Sequence, residues 1–501
     1  MGTSLASTTL VFLVLFAVNR LFQSFRRHRV FQYPPGPPGK VFFGNFFDIP
    51  QKNPWLIYTD WAKKYGTIVH LETFSDHIFI LNDLNTTTDL LEKRSRIYSG
   101  RPDLDVAASG WGFNLTFHDY GDRWRKNRRV YQQHLRPDAV VELRPIIRRC
   151  LGVFLNNLLR NPSEFMGHID LLALSSMYGL TIDSAHDPVL LLAKDTVHTL
   201  DTVFSTHYMF LMKNLPFMQY VPAWVPILGS VTKFNNETRK LCRDFQELPL
   251  QQVLKDIDSG SENDGIVARI LRQGALTASD EEFGRIKDMA ATALVASADT
   301  TLSSLGTFFM AMAKHPQCQE RAWREIDAVT GGERLPNWDD RKSMPYVEAI
   351  YRDCMRWHPA LPTGAVHVST EDDYYKDYFI PKGSMVFANI WSVLHGVIDS
   401  SNLVSMFSDR SMTHDERVYA DPYQFNPERY FNANGELNKD STVLGFGFGR
   451  RVCVGKHFAE ATLWLAIASV LTCFRISPEK DSQGNDIDIP ERYSPGPGLL
   501  R

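Results

Sequence analysis

The chain opens on a mostly apolar stretch, residues 4–22, densest at 10–18 (LVFLVLFAV); Asn19 and Arg20 interrupt it, and Arg26, Arg27 and Arg29 follow. It has neither a charged lead nor a small-residue cleavage site, so a cleaved signal peptide does not fit. The stretch lies near the lower end of the ~17–25 residues that cross a bilayer. Its basic flank comes after it, which leaves the remainder of the chain on the cytosolic side. Residues 1–30 are therefore expected to form a single-pass membrane anchor with its basic flank, the rival being a helix lying in the interface. Prolines 34, 35, 37 and 38 with Gly36 and Gly39 make 31–40 a stiff, non-helical hinge, and a body of 41–501 follows.

Within the body, the apolar period assigns the elements. Residues 55–65 repeat at helical spacing, whereas 67–72 and 77–82 alternate around Ser75-Asp76 and predict a β-hairpin. From about 84 to 360 the helical period dominates. A second β-rich patch lies between 365 and 388, where Glu371-Asp372-Asp373 and Pro381-Lys382-Gly383 mark turns. No repeat or linker divides the body. The expected class is mainly α with a small β portion (α+β), in one large domain. One helix should be unusually long: Ser279 followed by Glu282 has the capping-box pattern, and the period runs on to about 314, before His315-Pro316. At ~1.5 Å per residue it spans roughly 50 Å. Its middle holds Ser297, Asp299, Thr300 and Thr301, poor residues for a helix interior. A hydroxyl bonded to the carbonyl one turn back is the plain explanation.

Composition narrows the chemistry. With 501 residues, 44 % of them hydrophobic, the chain can bury a large core. Lys+Arg 54 against Asp+Glu 57 gives a net charge of −3, so no nucleic-acid partner is expected. The six cysteines are scattered, without a C-x-x-C pair or a Cys/His cluster, which excludes a disulfide framework and a zinc site. The sequons at Asn85, Asn114 and Asn236 read as chance on a cytosolic face.

One cysteine is set in a structured text: Phe446-Gly447-Phe448-Gly449-Arg450-Arg451-Val452-Cys453-Val454-Gly455. Glycines at 445, 447, 449 and 455 let the backbone turn tightly and approach something flat and bulky. An apolar helix follows, placing Cys453 near a helix N-terminus, where amide N–H groups and the dipole favour a thiolate. Arg451 suits a carboxylate.

The F-x-x-G-x-R-x-C-x-G run resembles the cysteine-ligand loop of the cytochrome P-450 superfamily of haem-thiolate monooxygenases, and further motifs recur in the family's order from Pro34 onward. The resemblance implies the cytochrome P-450 fold and a haem b cofactor. Cys453 is then the axial ligand of the iron, with Phe446 and Gly455 in the cofactor loop and Trp124, Arg128, His367 and Arg451 binding the propionates. Asp299-Thr300 matches the acid–alcohol pair, Thr300 holding oxygen and Asp299 relaying protons; Ser297 stands where glycine is common. Pro427-Glu428-Arg429-Tyr430 matches the segment whose arginine joins a Glu-x-x-Arg pair, here Asp353 and Arg356. The aspartate is one methylene short, which predicts a weak Asp353–Arg356–Arg429 network and poorer haem retention.

The resemblance also implies an electron donor, an NADPH–cytochrome P-450 reductase, since no glycine-rich nucleotide motif follows a strand. Arg125, Lys126, Arg129, Arg450 and Lys456 are the expected basic docking face. The substrate region maps to 101–119, 204–229, 294–298 and 361–366. It carries Trp111, Phe113, Phe117, Phe204, Tyr208, Phe210, Phe217, Tyr220 and Trp224, which suit a lipophilic small molecule. Fungal microsomal members, the closest in character, act on secondary metabolites and xenobiotics; the expected site is the endoplasmic reticulum membrane with the catalytic domain cytosolic. Two departures stand out. An atypical insertion at 396–413 reads as a retained in-frame intron or a surface loop, and the text after 490 stops short of the family's terminal hairpin, as a truncated C-terminus would. A haem-thiolate isomerase or dehydratase is the rival reading, against which Asp299-Thr300 argues. A catalytically defective haem protein is another, favoured by the insertion, the short end and Asp353.

Overall fold

In the computed structural model the described residues are 31–491 and 493, without 42, 75, 104–105, 181–186, 227, 262, 274–278, 396–420 and 439–443. The anchor expected at 1–30, the insertion at 396–413 and the last eight residues, 494–501, lie outside them. Among the described residues no helix is long and apolar enough to cross a membrane.

The alternating stretch forms β1 (Ile68–Thr73) and β2 (Asp76–Leu81), antiparallel, with Ile68 opposite Leu81 and Thr73 opposite Asp76. Ahead of it α1 (Pro54–Tyr65) starts on proline, whose fixed φ suits the first helical turn. The later β patch supplies β3 (His367–Val368), β4 (Asp373–Tyr375), β5 (Tyr378–Ile380) and β6 (Met385–Ala388). β6 runs parallel to β2 and antiparallel to β3, giving a sheet ordered β1-β2-β6-β3, while β4 and β5 pair apart from it. Segments more than 300 residues apart are thus joined at one edge of a helical body.

That body holds α2 (Asp122–Leu135), α3 (Pro137–Arg160), α4 (Phe165–Tyr178), α5 (Pro188–Val203), α6 (Thr206–Asn214), α7 (Ser230–Asp258), α8 (Ile266–Arg272) and α9 (Asp280–Lys314). It is completed by α10 (Pro316–Thr330), α11 (Pro345–Trp357), α12 (Ile390–His395) and α13 (Lys456–Cys473). α9 is the long helix: the Ser279 hydroxyl accepts from the Glu282 amide at 3.4 Å to cap its start, and His315 ends it. It packs against α4, α7 and α13, burying Leu294, Phe308 and Met312. α13 is buried nearly all round, as its apolar sequence requires.

The Asp353 network closes. Asp353, fully buried, has Oδ1 2.6 Å from Arg356 Nε and 3.2 Å from Arg429 Nε, and its Oδ2 accepts from the Asn426 amide at 2.6 Å. Arg356 also donates to the carbonyls of Pro422 and Gln424, and Arg429 donates to Gln424. The shorter carboxylate loses nothing in reach, because Arg356 lies one helical turn away and the 421–430 segment comes up to meet it. Removing the carboxylate leaves two buried guanidiniums short of a counter-charge, so Asp353→Ala should destabilise by ~3–5 kcal/mol. Asp353→Glu adds a methylene to a filled site and should cost about 1–3 kcal/mol rather than strengthen the network. Denaturant titration of both variants measures this; a stabilised glutamate variant refutes it.

Candidate active site

Residues 446–455 form a chain of tight turns. The Cys453 amide donates to the Phe446 carbonyl at 2.8 Å. Gly449 has a φ of 54°, and a Cβ there would sit 2.2 Å from the Leu91 carbonyl oxygen, so only glycine fits between loop and neighbour. Gly447 is left-handed too. Gly455 caps α13, and Cys453 lies just outside its first turn. Cys453 is accessible, yet protein crowds it closely enough that burial raises its thiol pKa. The Gly455 amide and the Arg128 guanidinium pull the other way without prevailing. The helix start alone therefore does not produce the thiolate that the sequence pattern suggests; a bound cation would.

Three guanidiniums converge beside this loop. Arg128 on α2 donates to the Val452 carbonyl at 2.7 Å. Arg451 donates to the carbonyls of Ser99 and His118 at 2.8 and 2.9 Å. The Trp124 ring lies between them, 5.2 Å from Arg128 and 4.6 Å from Arg451. Arg101 is the third: buried, it donates to the carbonyls of Thr116 and Val366. Burial lowers the pKa of all three, to about 9 for Arg101 and about 10 for Arg451. The carboxylate acting on Arg101 and Arg451 is that of Asp119, an exposed residue that also accepts the Arg101 amide. His367, buried, hydrogen-bonds the Tyr98 carbonyl through Nδ1 at 2.7 Å; burial and then the Arg101 charge lower its pKa to about 3. Three guanidiniums facing one exposed carboxylate leave a net positive cluster, which fits a ligand bearing carboxylates.

Arg101 is the residue that sequence reasoning places only at the edge of the substrate loop. No spacing marks it, and a nearby Asp103 offers an ordinary local partner. Only the fold turns its side chain toward 116 and 366.

α9 is partly exposed at mid-length. Ala296 is exposed and Ser297 and Thr300 half-exposed, between buried Leu294 and buried Asp299. Ala296 and Thr300 share one face. The Thr300 hydroxyl donates to the Ala296 carbonyl at 2.7 Å, and Ser297 donates to Leu294 at 3.1 Å. The expected substrate aromatics divide into two groups. Trp111 and Phe113 are buried, with Trp111 Nε1 donating to Thr199, and Phe117 stacks on Phe204 at 5.2 Å. Tyr208 is buried and bonds Asn235, whereas Phe217, Tyr220 and Trp224 are exposed, Trp224 by 81 %.

The profile of the Cytochrome P450 family matches residues 34–396 and 403–498. The chain belongs to the cytochrome P450 family. The break in the match, 397–402, falls inside the atypical 396–413 stretch. The chain is 35 % identical over 476 residues to cytochrome P450 monooxygenase COX2 of Coprinopsis cinerea, covering 92 % of this chain and 86 % of that one. It is 35 % identical over 475 residues to cytochrome P450 monooxygenase ple1 of Rhodocybe pseudopiperita, with 92 % and 86 % covered. With tryptamine 4-monooxygenase of Psilocybe cyanescens it shares 32 % over 484 residues, 94 % of this chain and 91 % of the relative. Like other P450 proteins, this one is a monooxygenase whose cofactor is haem with cysteine-ligated iron.

Folded His367 stays neutral, without the second ring proton, above about pH 3, while the unfolded chain takes that proton up near 6.5. The unfolded state therefore binds more protons between those values, and stability falls as pH drops through that window. His367→Gln keeps a donor for Tyr98 and should flatten this slope in the apoprotein. Denaturation midpoints at several pH values test it; an unchanged slope refutes it.

Proposed function

We propose that this P450 inserts one atom of O2 into a lipophilic small molecule, with electrons from an NADPH–cytochrome P450 reductase. The observation that carries the reading is the convergence of three guanidiniums, Arg101 buried and Arg128 and Arg451 half-buried, beside an accessible cysteine. Cys453 Sγ ligates the iron; Arg101, Arg128 and Arg451, with His367 and Trp124, hold the propionates through charge-assisted hydrogen bonds. Bound haem supplies the oxygen chemistry, and the protein supplies orientation and protons. Thr300 keeps its hydroxyl on the open face of α9, its hydrogen committed to Ala296 and its lone pairs able to accept. Asp299, buried next to it, is the proton source.

The substrate is a ring-bearing secondary metabolite or xenobiotic. The stacked Phe117–Phe204 pair, backed by Trp111, supports this, and one relative is named for tryptamine, itself aromatic. The exposed Phe217, Tyr220 and Trp224 suit contact with a membrane interface, in keeping with an anchor at 1–30 and an endoplasmic reticulum location. Electron transfer uses the face around α2. Arg125 is paired with Asp122 and Arg450 bonds Tyr120, which leaves Lys126 and Arg129 as its outward charges.

A carbon monoxide difference spectrum of the reduced protein should show the thiolate–haem signature, and Cys453→Ser should abolish it. Product formation should need both NADPH and O2; turnover without NADPH would reassign the protein as an isomerase or dehydratase. Thr300→Ala should lower the ratio of product to NADPH consumed. Reversing Lys126 and Arg129 to glutamate should slow reduction of the haem and weaken its salt dependence; unchanged reduction kinetics would refute this docking face.

A further inference from the structure

We propose that Glu460 tunes the reduction of the iron by holding a negative charge beside the Cys453 end of α13, an inference that rests on the haem-site reading above. Glu460 is the one acidic residue of α13. As the fifth residue of that helix it lies past the first turn, where the dipole favours an acid, so helix stability does not account for it. Side chains on a helix lean toward its N-terminus. This one does: the Glu460 carboxylate stands 3.8 Å from Lys456 Nζ and 3.6 Å from His457 Nδ1, one turn back. That turn follows directly on Gly455, and a Cβ on Gly455 would sit 3.9 Å from the Cys453 sulfur.

The charge is poorly neutralised where it sits. Both basic neighbours stand beyond hydrogen-bond distance, and the Glu460 side chain is only 19 % exposed. Arg341 also feels Glu460, but its guanidinium is taken by Glu348, at 2.8 and 3.1 Å. Among the described residues no hydrogen bond reaches the Glu460 carboxylate. Its field therefore extends into the protein, and Cys453 registers it: burial chiefly raises the thiol pKa, Glu460 adds to the rise, and Lys456 opposes it. A carboxylate that disfavours negative charge on the sulfur equally disfavours an electron arriving on the iron that the sulfur ligates. Glu460 thus favours the ferric state, acting through Cys453 and touching neither cofactor nor substrate. A partly screened unit charge at this range changes such an equilibrium by roughly three- to tenfold.

The test is the midpoint potential of the full-length, substrate-free holoprotein, read by spectroelectrochemistry. A carbon monoxide difference spectrum of each variant checks that the thiolate stays bound. Glu460→Gln should make reduction roughly three- to tenfold more favourable, an upward shift of ~30–59 mV at 59 mV per tenfold for one electron. Glu460→Asp keeps the charge and should lie closer to wild type than Glu460→Gln does. Lys456→Gln strips the carboxylate of a neutralising neighbour and should shift the potential downward. An unchanged potential in Glu460→Gln with the thiolate spectrum intact, or equal shifts in the Gln and Asp variants, would overturn the proposal while the haem site stands. If Glu460→Gln loses the thiolate spectrum, Lys456→Gln decides: a downward shift supports the proposal and no shift overturns it. A wild-type protein that takes up no haem would overturn the site reading itself.

Discussion

The structure depends most on three arginines gathered beside the Cys453 loop. Arg101, Arg128 and Arg451 come from three separate segments and each donates to backbone carbonyls, with Asp119 the carboxylate acting on Arg101 and Arg451. Each bond stitches a pair of distant segments: 101 to 116 and 366, 128 to 452, 451 to 99 and 118. The cluster is thus a structural knot and an anion receptor at once. A carboxylate-bearing cofactor held there would offset that charge and so link its binding to the stability of the surrounding loops.

The Asp353 triad shows what a closed network looks like in the same protein. There, one carboxylate serves two guanidiniums and both oxygens are used. The same residue type therefore has two meanings. Arginines around Asp353 hold α11 to the 421–430 segment by a shared carboxylate, whereas those around Trp124 are held by backbone carbonyls. The difference lies in the counter-charge, not in the arginines.

The reactive region is framed by two local conflicts between helix and function. α9 accepts hydroxyl residues at mid-length and satisfies them one turn back, which leaves an open face from Ala296 to Thr300. The Cys453 loop uses left-handed glycines to thread past Leu91 and present the sulfur ahead of α13. Burial raises the thiol pKa of that sulfur, so a thiolate there would depend on a bound cation.

The sequence by itself determined most of the elements and singled out Cys453 as the candidate ligand. The apolar period located α9 and the β1–β2 hairpin nearly to the residue, because burial of one face dictates spacing. The 446–455 text singled out Cys453 because glycine, arginine and cysteine chemistry cannot be exchanged there. Asp353 was misjudged in reach, since its distance to Arg429 depends on where the 421–430 segment lies, not on side-chain length. Only the tertiary structure decided that Arg101 joins Arg128 and Arg451, that Phe204 turns inward to Phe117 while Trp224 faces outward, and that Lys213 meets Asp76. These are long-range contacts between segments with no shared period, and proximity across the fold leaves no trace in the local pattern.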